Sequence, residues 1–342
     1  MNGLDLPLIA VVVIAVAVLL YVLLDGFDLG VGILFPLARS PGDRDLMMTA
    51  IAPYWDGNET WLVLGGGGLF ALFPGAYAIL MPAFYLPLMG MLLALILRGV
   101  AFEFRLHGRR RGKRLWTIAF AAGSIGAAFA QGLVLGGFVQ GVKVTNGAFA
   151  GGPFDWATPY SLLTALGLVA GYALLGATWL MIKTDEGLHG DARRWTGAAV
   201  VAVVALLAAV SLATLGVDPR VAARWGLTGG AIDMTHLAPR LAIPALGGVG
   251  LALIFVGLRR GSHVLPFAGA LVVFLSGYLG LGTSFFPAIV PYDVGFREAA
   301  NTPGALAFVL IGVVVMLPLI LGYTAFVYWL FRGKVASDAG SH

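Results

Sequence analysis

The chain has 342 residues, 59% of them hydrophobic and 11% charged, with a formal net charge of +4 and a mean hydropathy of +0.92. A soluble domain of this length does not carry so little charge, and hydrophobic runs of about 20 residues mark a polytopic membrane protein. There is no cysteine, which excludes disulfides, zinc–thiolate sites, iron–sulfur clusters and thiol redox chemistry.

Without water in the bilayer core the backbone must satisfy its own hydrogen bonds, so helices are the default, and no short alternating segments suggest a barrel. The fold class predicted is all-α: a transmembrane helix bundle of nine spans, at roughly 7–35, 51–73, 78–104, 115–141, 160–184, 194–216, 238–258, 263–287 and 305–331. The whole chain, 1–342, reads as one integral membrane domain. It holds a first four-helix group (1–141), a second (160–287) and one extra helix (305–331).

The first span is not a signal peptide: no basic residue precedes it, no small-residue cleavage site follows, and its apolar run is too long. It carries Asp25 and Asp28 in the run LLDGFDLGVGILF. The second carries Asp56, Asn58 and Glu59 in APYWDGNETWLVLGGGG. An ionisable side chain at membrane depth costs roughly 2.5–3.5 kcal/mol, so it is rare without a partner or a water path. Asp25 and Asp28 share a helix face at i,i+3, as do Asp56 and Glu59. Gly26, Gly30 and Gly32, and Gly65 to Gly68, permit close helix approach. A phosphate cradle at Gly65–Gly68 is excluded because no strand precedes it and no lysine follows it. Trp55 and Trp61 flank the acids of the second span, and read either as interfacial aromatic-belt residues or as a wall between the acids and lipid.

Pro82 and Pro87 predict a kink in the third span, which ends with Arg98 and Glu103. Arg98 is a natural partner for one of the carboxylates. Of the 21 Lys and Arg residues, fifteen fall in the loops after spans 1, 3, 5 and 7 and in the tail, and five in the other loops. The loop after span 3 is the strongest signal, with Arg105, Arg109, Arg110, Arg111, Lys113 and Arg114. The positive-inside rule then places the N-terminus outside and the C-terminus in the cytoplasm. This basic loop needs no nucleic-acid partner. The acids and Arg98 then all lie in the cytoplasmic part, as a polar funnel opening inward. The competing structural reading is an ion-paired network locking three helices together, with Asp56 and Glu59 favoured by the helix macrodipole.

The five histidines, His107, His189, His236, His263 and His342, fall in loops, at span edges or in the tail. A haem held between two imidazoles needs facing histidines at depth, so the chain is not expected to bind one by itself. His236 reads as a surface histidine, and Met89, Met91 and Met181 as core packing.

The segments Asp25-Gly26-Phe27-Asp28-Leu29-Gly30-Val31-Gly32 and Ile51-Ala52-Pro53-Tyr54-Trp55-Asp56-Gly57-Asn58-Glu59-Thr60-Trp61 resemble subunit II of the cytochrome bd quinol oxidases, including the cyanide-insensitive branch. Arg98-Gly99-Val100-Ala101-Phe102-Glu103-Phe104-Arg105 resembles a third block of that family. The likeness is carried by residues 20–105; beyond them, size and topology agree. It implies an accessory subunit of a terminal oxidase in a prokaryotic plasma membrane. The haem-bearing subunit I holds haems b and d, oxidises quinol at the outer face and reduces dioxygen to water with cytoplasmic protons. On that resemblance no catalytic or metal-binding residue lies in this chain. In some members the carboxylate of the Trp-Asp-Gly-Asn run, here Asp56, lines a proton path, and many have histidine where this chain has Tyr54. Some members hold a structural quinone, an oxygen path or a small additional subunit, none assigned to residues here. The proton-path candidates are Asp25, Asp56, Asn58, Glu59 and Asp28, with Arg98 and Glu103 as charge partners. The rival from a different class is a proton- or cation-coupled transporter, and a third reading is a purely structural subunit.

Overall fold

The computed structural model describes residues 4–107, 110–228 and 231–335. Arg109 of the basic loop and His342 lie outside them, as do the side chains of His107, Arg110 and Arg111.

The helices are α1 (Leu6–Leu34), α2 (Pro41–Thr49), α3 (Trp55–Leu72), α4 (Pro74–Ala83), α5 (Tyr85–His107), α6 (Arg110–Gln140), α7 (Pro159–Lys183), α8 (Glu186–Thr214), α9 (Pro219–Arg224), α10 (Met234–Arg240), α11 (Ala242–Arg260), α12 (Leu265–Phe285), α13 (Phe296–Ala299) and α14 (Pro303–Leu330). Eight segments among the described residues are long and apolar enough to cross a membrane. The remaining predicted span is α3, whose Trp-Asp-Gly-Asn-Glu start and four glycines keep its hydropathy low. The third predicted span is two helices. The chain breaks at Phe84, between Pro82 inside α4 and Pro87 in the first turn of α5. The two prolines on either side each remove a backbone donor there.

Local signals set the ends. Asp5 caps α1 by accepting from the Leu8 amide at 3.3 Å. Ser40 and Asp43 form a reciprocal capping box that starts α2, a helix inside what hydropathy alone reads as a loop. Three two-stranded hairpins, Val144–Thr145 with Ala148–Phe149, Leu227–Thr228 with Ala231–Ile232, and Ala288–Val290 with Val294–Gly295, occupy interhelical connections. All lie at the end of the bundle opposite the loop joining α5 to α6. The first turns through Asn146 and Gly147, both at positive φ, the pairing a tight hairpin favours.

Helix α1 packs on α3, α6 and α7, and every residue from Asp25 to Gly32 is buried. The closest approach is between Gly30 and Gly176: a Cβ on Gly30 would lie 1.8 Å from the Tyr172 carbonyl oxygen, and one on Gly176 2.3 Å from the Gly30 carbonyl carbon. Gly32 similarly makes room for Ser124 of α6, and Gly26 for the ring of Tyr172. With no hydrophobic drive between helices in lipid, such backbone contacts carry the association. The run Gly65–Gly68 departs from the expectation. Gly66 and Gly67 have nothing within 4 Å where a side chain would start, and Gly65 and Gly68 meet α1 only at ordinary contact distance. The largest core draws residues from both predicted four-helix groups. Helix α14 lies against α1 and α3 with most of its surface exposed.

Candidate functional site: a buried carboxyl group cluster

Asp25 and Asp28 of α1 are completely buried, and Arg98 of α5 is 1% exposed. The Arg98 Nη1 lies 3.1 Å from Asp25 Oδ1 and 3.5 Å from Glu59 Oε2. Its guanidinium sits 5.3 Å from the centre of the Trp55 ring, a cation–π contact that closes the site on the α3 side. The indole lies over Gly99 of α5 at ordinary contact distance. One guanidinium therefore pairs with two carboxyl groups, and Asp28 is buried one turn along α1 from Asp25, in apolar surroundings where bare charges in excess are not tolerated.

Asp28 Oδ2 accepts from Asn58 Nδ2 at 2.6 Å, and the same amide group donates to the Leu24 carbonyl at 3.3 Å. The Tyr328 hydroxyl of α14 donates to Asn58 Oδ1 at 2.9 Å, which sets the amide so that its nitrogen faces Asp28. Several buried polar atoms here lack a hydrogen-bond partner: both Asp25 carboxylate oxygens, Asp28 Oδ1, Arg98 Nη2 and Trp61 Nε1. They surround one polar centre inside the bundle.

The two acids of α3 part company. Glu59 turns inward to Arg98, whereas Asp56 is exposed, on a face shared with Thr60, Val63, Gly67 and Phe70. Asp56 is thus outside the buried group with which sequence reasoning placed it. A spacing of three residues leaves about 60° between two side chains on a helix, enough for one to face the core and the other to face out. Glu103, expected as a further charge partner, is exposed near the end of α5.

Tyr54 is buried just ahead of α3. Its hydroxyl donates to the Phe331 carbonyl at 2.7 Å and accepts from Lys183 Nζ at 2.7 Å. Lys183 also donates to the carbonyls of Phe331 and Gly333, and the Val335 amide donates to the Lys183 carbonyl at 2.8 Å. This lysine clips residues 331–335 across the end of α7. Lys183→Met strips three acceptors of a charged donor and is expected to cost about 1.5–3 kcal/mol. Limited proteolysis in detergent should show earlier cleavage within residues 331–335; unchanged cleavage kinetics would refute the clip.

A sequence profile described as cytochrome bd terminal oxidase subunit II matches residues 6–331. The chain belongs to this family. It is 29% identical over 353 aligned residues to the cytochrome bd-I ubiquinol oxidase subunit 2 of Escherichia coli strain K12, covering 92% of this chain and 91% of that protein. It is 26% identical to the cytochrome bd ubiquinol oxidase subunit 2 of Bacillus subtilis strain 168, with 95% of both chains covered. A probable cytochrome oxidase subunit 2 of Haemophilus influenzae is 35% identical over 54% of this chain and 50% of its own length. The fold is similar to that of a chain in the bd oxidase of Geobacillus thermodenitrificans, with a TM-score of 0.76 and 16% identity, covering 97% of this chain and all of that one.

A bd oxidase contains haem, and the three histidine side chains described, His189, His236 and His263, each have a polar partner within the chain. His189 and His263 each direct Nδ1 at the same Met181 carbonyl, at 3.1 and 3.0 Å, with ring centres 4.4 Å apart. They serve the free carbonyls at the end of α7, and no iron fits between rings so close. His236 is exposed and pairs with Asp233 at 2.6 Å, and Thr235 and His236 together hold the Asp233 carboxyl down at about 2.

Sequence reasoning missed Tyr21, Gln131, Tyr172, Lys183 and Tyr328. Gln131 left a usable signal, as a lone amide in the apolar run AAFAQGLVLGG. The tyrosines left none, since their apolar bodies suit a transmembrane helix equally well as packing.

Proposed function

We propose that this chain is the accessory second subunit of a quinol oxidase, scaffolding a haem-bearing subunit I and supplying part of a proton route from the cytoplasm. The carrying observation is one guanidinium paired with Asp25 and Glu59 at membrane depth, with the carboxyl of Asp28 buried one turn along α1. Such a group holds a proton among its carboxyls, because all three ionised against one arginine would leave a net negative charge in a low-dielectric site.

The protein's own residues then have distinct parts. Asp25 and Glu59 exchange a proton across Arg98, which offsets whichever carboxylate is left ionised. Asn58 and Tyr328 hold Asp28. Asp56, on the outward face of α3, hands protons between this chain and subunit I. The positive-inside rule puts the basic loop between α5 and α6 in the cytoplasm, the N-terminus outside, and the cluster on the cytoplasmic side. The oxidase consumes those protons in reducing dioxygen to water, while quinol oxidation releases protons outside, so the membrane charges without a pump. The haem chemistry belongs to subunit I.

Asp25→Asn and Asp56→Asn, each in the assembled oxidase, are expected to slow oxygen consumption on the order of 10²-fold, the low end for a lost proton-transfer group, with haem content unchanged. Proteoliposome turnover and charge separation check this. Normal rates in both variants would falsify the proton route. Loss of haem with the rate per haem preserved would make the acids structural.

A further inference from the structure

A half-buried amide joins two tyrosines near Asp25. Gln131 of α6 donates Nε2–H to the Tyr21 hydroxyl at 2.6 Å. The Tyr172 hydroxyl of α7 donates to Gln131 Oε1 at 2.8 Å. Tyr21 is 5% exposed and Tyr172 fully buried, and Tyr21 lies four residues, about one turn, before Asp25 on the same face of α1.

The direction of this chain of donors follows from counting hydrogens. A phenol has one. With the amide nitrogen donating to Tyr21, the Tyr21 hydrogen is left for Asp25, whose oxygens otherwise meet only the Arg98 charge. Rotating the amide by half a turn would make Tyr21 donate to Gln131 and leave it no hydrogen for Asp25. It would also strand the Tyr172 hydrogen, because Gln131 is its hydrogen-bond acceptor among the described residues. A buried donor without an acceptor costs about 1–3 kcal/mol. Tyr172 is itself fixed: its ring stacks on Phe274 at 5.9 Å and 9° and fills the space left by the missing side chain of Gly26. The order Tyr172 to Gln131 to Tyr21 therefore satisfies the Tyr172 hydrogen and leaves the Tyr21 hydrogen free for Asp25, whose two oxygens have no other hydrogen-bond partner among the described residues.

We propose that Gln131 is a positioning residue for proton transfer at Asp25: with Tyr172 it aims the Tyr21 hydroxyl hydrogen at the Asp25 carboxyl and keeps that carboxyl set to take a proton. This inference rests on the proton-route reading above. It extends the site from α1, α3 and α5 to α6 and α7, and gives Gly26 a purpose, seating the tyrosine that orients the amide.

The test uses Gln131→Met, which keeps length, and Tyr172→Phe, which removes one oxygen, in the assembled oxidase. Each is expected to lower the maximal rate of oxygen consumption several-fold, with haem content and the KM for quinol unchanged. The double variant Asp25→Asn/Tyr172→Phe is expected to be no slower than Asp25→Asn alone, because the tyrosine acts through that carboxyl. Wild-type rates in both single variants beside a slow Asp25→Asn would overturn the positioning role and leave the proton route standing. Losses that multiply in the double variant, or that come with lost haem, would make the amide a packing element. A normal rate in Asp25→Asn would overturn this inference, and together with a normal rate in Asp56→Asn the proton route as well.

Discussion

Gly30→Ala is expected to prevent the chain from reaching its native bundle. The added methyl would sit 1.8 Å from the Tyr172 carbonyl oxygen and 2.7 Å from the Gly176 amide nitrogen, both backbone atoms in the middle of α7. Overpacking against side chains typically costs about 1–3 kcal/mol because rotamers give way. Here no rotamer can move, so α1 and α7 must separate. Separation would also pull apart the Tyr172–Gln131–Tyr21 chain and the Gly26 contact. The loss should be most of the assembled complex recovered in mild detergent, read by size-exclusion chromatography. Gly197→Ala on α8 is the control, since nothing lies within 4 Å of its added methyl and alanine improves a helix by about 1 kcal/mol. Equal recovery of the Gly30 and Gly197 variants would show that the bundle tolerates the separation.

Arg98→Leu carries the second large effect. It removes the guanidinium that pairs with Asp25 and Glu59 and leaves the buried Asp25 carboxyl uncompensated. Removing one partner of a buried pair costs about 3–5 kcal/mol, because the charge left behind is uncompensated. Arg98→Lys is not a conservative repair: a compact ammonium on a flexible stem does not reproduce a planar group set between two carboxyls over an indole. Asp25→Asn placed on Arg98→Leu should restore part of the lost stability by removing a charge that no longer has a partner. Thermal unfolding of the detergent-solubilised complex decides it. If the double variant unfolds at the same temperature as Arg98→Leu, packing of the arginine against Trp55 matters more than the ion pair.

The two experiments separate the forces at one site. The glycine contact brings α1 and α7 together whatever their charges, and the ion pair holds α5 and α3 to α1. A bundle without a hydrophobic drive between its helices needs both kinds of contact. It places the polar group where close packing leaves no route for lipid.

Much was determined by the amino-acid order alone. Hydropathy located the spans, because lipid forces each crossing segment to satisfy its backbone as a helix, and the motifs around Asp25, Asp56 and Arg98 identified the family. Arg98 was legible as a partner for the acids, since an unpaired arginine does not persist at depth. The tertiary structure decided the rest. Whether Asp56 or Glu59 turns inward depends on the rotation of α3 about its axis, which its uneven mixture of acids and glycines does not define. Gly65–Gly68 looks like a packing stripe, yet Gly30, Gly32 and Gly176 make the close contacts, because approach requires a partner backbone opposite. The two prolines predicted a kink, and the structure places a full break at Phe84 between them, with Pro82 inside α4 and Pro87 in the first turn of α5. Gln131, Tyr21 and Tyr172 lie on α6, α1 and α7, separated by 110 and 41 residues. Their pairing comes from how three helices meet, and local sequence pattern holds no record of that.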